Sequence, residues 1–187
     1  MKNISKMIML TSFIAFVGCR DSEISAGRAR FANSSVFNDT ALLSNKTIGV
    51  QTTGYGEIEV DIDSHLGGEN FEAGVMVRHD STGSNHLGCS FGQVSSAYVV
   101  SIRKGATAHQ SSSIPTPALT GNIYGCSVEE TGNNSALVKA YINRVVVEQF
   151  EFAYDGTIPT SGRFGFGGYA NYDNVGVKSF KFSPVLP

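Results

Sequence analysis

The sequence predicts an all-β domain, an antiparallel two-sheet sandwich of the jelly-roll kind, and three observations predict it. Apolar and polar residues alternate over many short runs, the period-two pattern of half-buried strands. Turn-forming clusters separate those runs: Gly67-Gly68, Asp80-Ser81-Thr82-Gly83-Ser84-Asn85, Gly132-Asn133-Asn134 and Asp155-Gly156. No long stretch keeps a 3.6-residue apolar period with caps, so little helix is expected. The 21 glycines suit a fold with many bends.

In chain order, residues 1–18 read as a targeting segment that takes no part in the fold. Lys2 and Lys6 supply the positive start, and Met7 to Val17 follow as an apolar stretch broken only by Thr11 and Ser12. That stretch is well short of the about 20 residues a membrane-spanning helix needs. Phe16-Val17-Gly18-Cys19 resembles the bacterial lipobox, with phenylalanine where leucine is usual. The resemblance implies export, cleavage before Cys19 and a lipid anchor on Cys19, which would hold the chain to the bacterial cell envelope. An ordinary secretory signal with a chance cysteine is the alternative. Removing 18 of 187 residues leaves 169, with 12 basic and 16 acidic residues once Lys2 and Lys6 are gone. A chain of that length suits one domain. Its dispersed, mildly acidic charge offers no basic stripe to follow phosphates, which argues against a nucleic-acid partner.

Residues 19–30 are polar, with Arg20, Asp21, Glu23, Arg28 and Arg30, and read as a tether; the sandwich domain is expected over 31–187. Strand signals then recur. Ile58, Val60 and Ile62 alternate with Glu57, Glu59, Asp61 and Asp63. Phe71, Ala73, Val75 and Val77 alternate with Glu72, Gly74, Met76 and Arg78, and the same pattern holds for Tyr98, Val100 and Ile102 and for Ala136, Val138, Ala140 and Ile142. The stretch 104–121, rich in Ser, Thr, Ala and Pro, is expected to be the longest irregular loop. Cys89 and Cys126 both sit in strand-like runs and form an even pair once Cys19 is set aside, so a disulfide is expected, with two separate buried thiols as the alternative. No CxxC or HxxxH spacing accompanies them to suggest zinc.

The order of these runs resembles the concanavalin A-like lectin/glucanase superfamily, in particular its laminin-G-like and keto-disaccharide-hydrolase-like branches. The segments that carry the resemblance are Tyr55-Gly56-Glu57-Ile58-Glu59-Val60-Asp61-Ile62, Phe71-Glu72-Ala73-Gly74-Val75-Met76-Val77-Arg78-His79, Leu137-Val138-Lys139-Ala140-Tyr141-Ile142-Asn143, and Gly162-Arg163-Phe164-Gly165-Phe166 followed by Tyr172-Asp173-Asn174-Val175-Gly176-Val177. One departure stands out: Asn143-Arg144 occupies the hairpin position where Asn-Gly or Asp-Gly is usual, which predicts a longer or bulged hairpin. The resemblance also implies that Asp173, with Glu57 or Glu59 from an early strand, is placed to bind a structural calcium ion; the plainer reading of Asp173-Asn174 is a turn.

Function is expected to lie in binding rather than catalysis. Glu57, Glu59, Asp61 and Asp63 invite comparison with the catalytic strand of laminarinase-like glycoside hydrolases, but they keep strict alternation and lack that pattern's extra residue. A solvated strand face accounts for them as well. His79 and His86 bracket the 80–85 turn and, with Asp80, could approach a metal, though polar surface residues explain them more simply. For a sugar, which needs an aromatic face and directional polar groups, the candidates are Arg163, Tyr169, Asn171 and Tyr172, close together near the closing strands, with Tyr98 and Tyr124 as additional ones; there is no tryptophan. The sequence thus predicts a non-catalytic cell-envelope module for a glycan or envelope polymer. A lipoprotein that binds another envelope protein, and a glycan hydrolase or lyase, are the alternatives.

Overall fold

The computed structural model describes residues 22–24, 29–30, 34–39, 51–62, 71–79, 86–94, 97–105, 107–114, 122–170 and 175–187. The targeting segment with Cys19 lies outside them, as do Asn171, Tyr172 and Asp173. The described residues form thirteen strands: β1 (Ser22–Ile24), β2 (Ala29–Arg30), β3 (Ser34–Asp39), β4 (Gly54–Ile62), β5 (Phe71–His79), β6 (Leu87–Val94), β7 (Ala97–Lys104), β8 (Thr107–Ile114), β9 (Ile123–Thr131), β10 (Ser135–Ile142), β11 (Val145–Ala153), β12 (Arg163–Ala170) and β13 (Val175–Ser183). The first sheet runs β1-β13-β4-β9-β10-β11, with β2 also on β13, and the second runs β3-β12-β5-β6-β7-β8. Every strand pairing in both sheets is antiparallel, and the described residues contain no helix. This is the two-sheet sandwich that the alternation predicts.

The core is made by the inward half of each alternating run. Ile58, Tyr124, Cys126, Val128, Ala136, Val138, Ala140, Phe152, Phe180 and Phe182 come from the first sheet. Ala73, Val75, Val77, Leu87, Cys89, Phe91, Val100, Ile102, Phe164 and Phe166 meet them from the second. Cys89 on β6 and Cys126 on β9 are joined by a disulfide through this core, closing a separation of 37 residues. In the chain-entropy model a loop of that length makes the bond worth about 4 kcal/mol.

One expectation needs correction, and one is met by its second alternative. The stretch 104–121 is not one long loop, because Thr107–Ile114 forms β8 along the edge of the second sheet. Its side chains are mostly exposed, so it lacks the apolar alternation by which strands are recognised. The β10–β11 hairpin is bulged but not lengthened. Its turn has two residues, Asn143 at φ 51° and Arg144 at φ 66°, and the register shifts further back, between Ala140 and Tyr141.

The edge strands β8 and β11 lie beside one another and close one side of the sandwich. Ser112 on β8 donates to the Glu148 carboxylate on β11. The His109 ring packs 5.1 Å from Phe152 and 5.8 Å from Phe150. Contacts of this kind cover part of an edge that would otherwise invite strand addition.

Candidate functional site

The outer face of the first sheet carries a cleft of about 530 Å³, lined by residues of β4, β13, the β10–β11 turn and the chain after β13. Alternation sets which β4 side chains reach it. A Cβ at Gly54 or Gly56 would press on Phe182, Phe180 and Val75 in the core, and Ile58 is fully buried there, so Tyr55 and Glu57 face outward. Antiparallel register then brings distant residues alongside. Lys181 on β13 stands opposite Glu57, which stands opposite Gly125 on β9, and Gly125 is opposite Tyr141 on β10. In the next row, Ser183, Tyr55 and Ser127 are aligned.

Glycine at position 125 is what lets Tyr55 lie down on β9. A Cβ there would come within 2.4 Å of the Tyr55 hydroxyl and 2.6 Å of its ring. The Tyr55 ring meets Tyr141 edge to face with centroids 5.2 Å apart, and the Tyr141 hydroxyl is 3.0 Å from Ser127 Oγ. The Tyr55 hydroxyl donates to Glu57 Oε2 at 2.9 Å.

Arg144 completes the arrangement from the turn. Its Nε donates to Glu57 Oε2 at 3.1 Å and its Nη2 to Glu57 Oε1 at 2.9 Å, a two-point grip on the carboxylate. The Glu57 side chain is 7% exposed and the Arg144 side chain 59% exposed. Burial by itself would raise the Glu57 carboxyl, but hydrogen bonds from Arg144 and Tyr55, with the Arg144 and Lys181 charges, hold it below its ordinary value. Burial first, and then the Glu57 charge, push the Tyr55 hydroxyl upward, so it remains a donor at neutral pH.

The turn that presents Arg144 is itself secured. Asn143 Oδ1 accepts from the Ile123 N–H at 3.0 Å, the Asn143 N–H donates to Ile123 O at 2.7 Å, and Asn143 Nδ2 donates to Asn122 Oδ1 at 3.0 Å. A left-handed arginine costs roughly 1–2 kcal/mol. Such a conformation persists only where surrounding contacts impose it, and it is most common at functional positions.

A second arginine cluster lies elsewhere. Arg78, at φ 51°, has a fully buried side chain. Its Nε donates to Thr52 O at 2.8 Å, its Nη1 to Tyr154 Oη at 2.5 Å and Pro159 O at 3.2 Å, and its Nη2 to Glu130 Oε1 at 2.7 Å. Tyr154 donates to the Glu130 carboxylate at 2.7 Å. Gly162 packs directly on this arginine, since a Cβ there would fall 2.4 Å from the Arg78 backbone. Arg78 therefore ties together the start of β4, the end of β9 and the β11–β12 connection.

Of the residues singled out from sequence, Glu57 lies in the cleft with both carboxylate oxygens engaged by Arg144 and Tyr55. Its suggested calcium partner Asp173 is outside the described residues. Among the described residues, no group of three or more His, Cys, Asp or Glu is placed to hold a metal ion. Arg163 is exposed at one end of β12 and Tyr169 lies six residues along the same strand, about 20 Å away at ordinary strand rise. His79 and His86 are buried rather than at the surface. Tyr55, Tyr141, Arg144 and Lys181 were not assembled from sequence. The signal available for them was Asn143-Arg144, where a turn demanding positive φ keeps arginine in place of glycine.

No protein-family model matches the chain. No curated protein matches it. Among solved structures it is similar to the carbohydrate binding module CBM66 from Bacillus subtilis, at 17% identity over 73% of this chain and 78% of that one, TM-score 0.46. It is also similar to the CBM40 of the Ruminococcus gnavus IT-sialidase, bound to alpha2,3 sialyllactose, at 9% identity over 90% and 93%, TM-score 0.46. A Bacillus licheniformis beta-glucanase gives 8% identity over 73% and 68%, TM-score 0.44. At these values the likeness is one of general shape, and the ligand has to be argued from this chain's own side chains.

Proposed function

We propose that this is a non-catalytic binding module of the concanavalin A-like kind, exported as a lipoprotein through Cys19, that recognises a glycan or cell-envelope polymer at the cleft on the outer face of the first sheet. The observation that carries the reading is the Arg144–Glu57–Tyr55 cluster. Charged hydrogen-bonding groups are fixed in orientation there, beside apolar side chains, in an open groove. Sugar binding needs directional donors and acceptors next to an apolar surface, and this combination supplies both.

The same cluster weighs against hydrolysis at this place. Glycoside hydrolysis requires two carboxyls, one of them a proton donor. Among the described residues that line the cleft, Glu57 is the single carboxylate side chain, and its lowered proton affinity keeps it ionised at neutral pH. A glutamate held in that state orients an arginine better than it protonates a leaving group.

The test is binding of the purified domain, without lipid, to a panel of polysaccharides and peptidoglycan, with calcium and with chelator. Retention by one glycan class supports the reading, and loss of retention in chelator adds a calcium requirement. Failure to bind any member of the panel overturns it in favour of a protein-binding lipoprotein. Labelling of the full chain with a fatty-acid probe checks the anchor, with Cys19→Ala expected to abolish incorporation.

A further inference from the structure

The strand by which the chain enters the first sheet and the segment that follows β13 share one end of the molecule. β1 is paired antiparallel with β13: Ser22 stands opposite Phe182, Glu23 opposite Lys181 and Ile24 opposite Phe180. Antiparallel pairing sends the chain before Ser22 and the chain after Phe182 out of the sheet at the same end. Cys19 stands three residues before Ser22. Three residues reach at most about 10 Å, so a lipid on Cys19 is tethered within a short distance of the end of β13.

The segment after β13 is apolar. Pro184-Val185-Leu186-Pro187 carries no charged or polar side chain. The Val185 N–H donates to Ser183 Oγ at 3.1 Å, and Val185, Leu186 and Pro187 line the cleft. Val185 is 68% exposed, the most open of the large hydrophobic residues among those described. A valine this open in water loses the favourable transfer that burial would give it. Beside an acylated cysteine the surface within its reach is a bilayer, where an apolar side chain recovers that transfer. The other exposed valines, Val145 and Val146, begin β11, which lies at the opposite end of the strand order from β1. They are the same residue type without the neighbouring anchor.

We propose that Val185 and Leu186 form a membrane-contact lip, seated on the bilayer that holds the lipid of Cys19, so that the cleft has one wall at the bilayer surface. This rests on the lipoprotein part of the reading above and goes beyond it, because an anchor alone leaves the domain free to turn. A second, apolar contact beside the anchor fixes its orientation. The contact costs little to form, since the anchor already holds the lip close to the lipid.

The chain has no tryptophan, so a single introduced one reports its own surroundings. The experiment reconstitutes the full, lipid-bearing chain with Val185→Trp or Val145→Trp in vesicles of phosphatidylethanolamine and phosphatidylglycerol, with and without bromine on the acyl chains. Fatty-acid labelling checks the lipid on each sample, and thermal unfolding checks the fold; both valines are exposed, so both substitutions should be tolerated. Brominated chains are expected to quench the tryptophan at 185 at least about twofold more than the one at 145. Adding Cys19→Ala to Val185→Trp is expected to remove the quenching, because so small an apolar lip does not hold a domain on a membrane without the anchor. Equal quenching at the two positions, or none at 185 in a sample that carries the lipid, overturns the proposal and leaves the lipoprotein reading standing. Quenching at 185 that survives Cys19→Ala also overturns it, since the contact would then not depend on the anchor. A chain that takes up no fatty-acid label refutes both. Polysaccharide retention by the lipid-free domain tests the glycan reading separately.

Discussion

Arg78 and Arg144 make the most instructive pair of regions in the molecule. Both adopt left-handed backbone conformations and both grip a glutamate. Their burial is reversed. At Arg78 the cation is fully buried and its partner Glu130 is 43% exposed; at Arg144 the cation is 59% exposed and its partner Glu57 is 7% exposed. A buried guanidinium that also holds the carbonyls of Thr52 and Pro159 has spent its donors on the fold. An exposed guanidinium held by a buried carboxylate instead lines the cleft and meets solvent. The same two side-chain types therefore form a buried staple in one place and a solvent-facing pair at the cleft in the other.

The largest expected effect tests the staple. Arg78→Ala leaves two carbonyls and two hydrogen-bonded partners without their donor, and should cost about 3–5 kcal/mol in urea unfolding. Loss below about 1 kcal/mol would show that the two arginines do not differ in structural weight. Next is Glu57→Gln, which turns a charged two-point grip into a neutral contact. It should cost about 1–2 kcal/mol, because the arginine it abandons stays in contact with water. Arg144→Gly should fall within about 1 kcal/mol of the parent, since relief of the left-handed backbone offsets loss of the pair; a much larger loss would mean that Arg144 is a second staple. The smallest effect is in pH. The folded state depresses the Glu57 carboxyl, so the unfolded chain takes up its proton first as acid is added. The stability owed to the pair is thus complete above the ordinary glutamate range and is lost as pH falls through the lowered folded value. The stability difference between parent and Glu57→Gln should shrink over that window, and a difference that is unchanged between neutral pH and acid well below the ordinary glutamate range would contradict it.

The fold was legible because it depends on local alternation. The inward residues Ile58, Val75, Val100 and Val138 sit at every second position of their runs, and a two-residue period is readable without knowing any partner. β8 escaped because its exposed Thr107-Ala108-His109-Gln110-Ser111-Ser112-Ser113 carries no such period. The cleft escaped for a different reason. Tyr55, Arg144 and Lys181 are separated by tens of residues and meet only through the register of β4 with β9 and β13 and the hand of a two-residue turn. Register across sheets is set by the whole set of strands, which a linear reading does not contain. Glu57 was noticed in sequence as part of an acidic ladder, but its role follows from Arg144, whose approach requires the positive φ that the missing glycine had already signalled.

The strand order of the first sheet has a mechanical consequence. β1, where the described chain first enters that sheet, pairs with β13, and β13 lines the cleft beside β4. A pull between the cleft and β1 would therefore travel through backbone ladders of a single sheet, without crossing the interface between the two. The Cys89–Cys126 bond lies away from that line and fastens the second sheet to the first. Under load the short β1 ladder, three residues long, would give way before the longer ladder of β13 with β4 that lines the cleft.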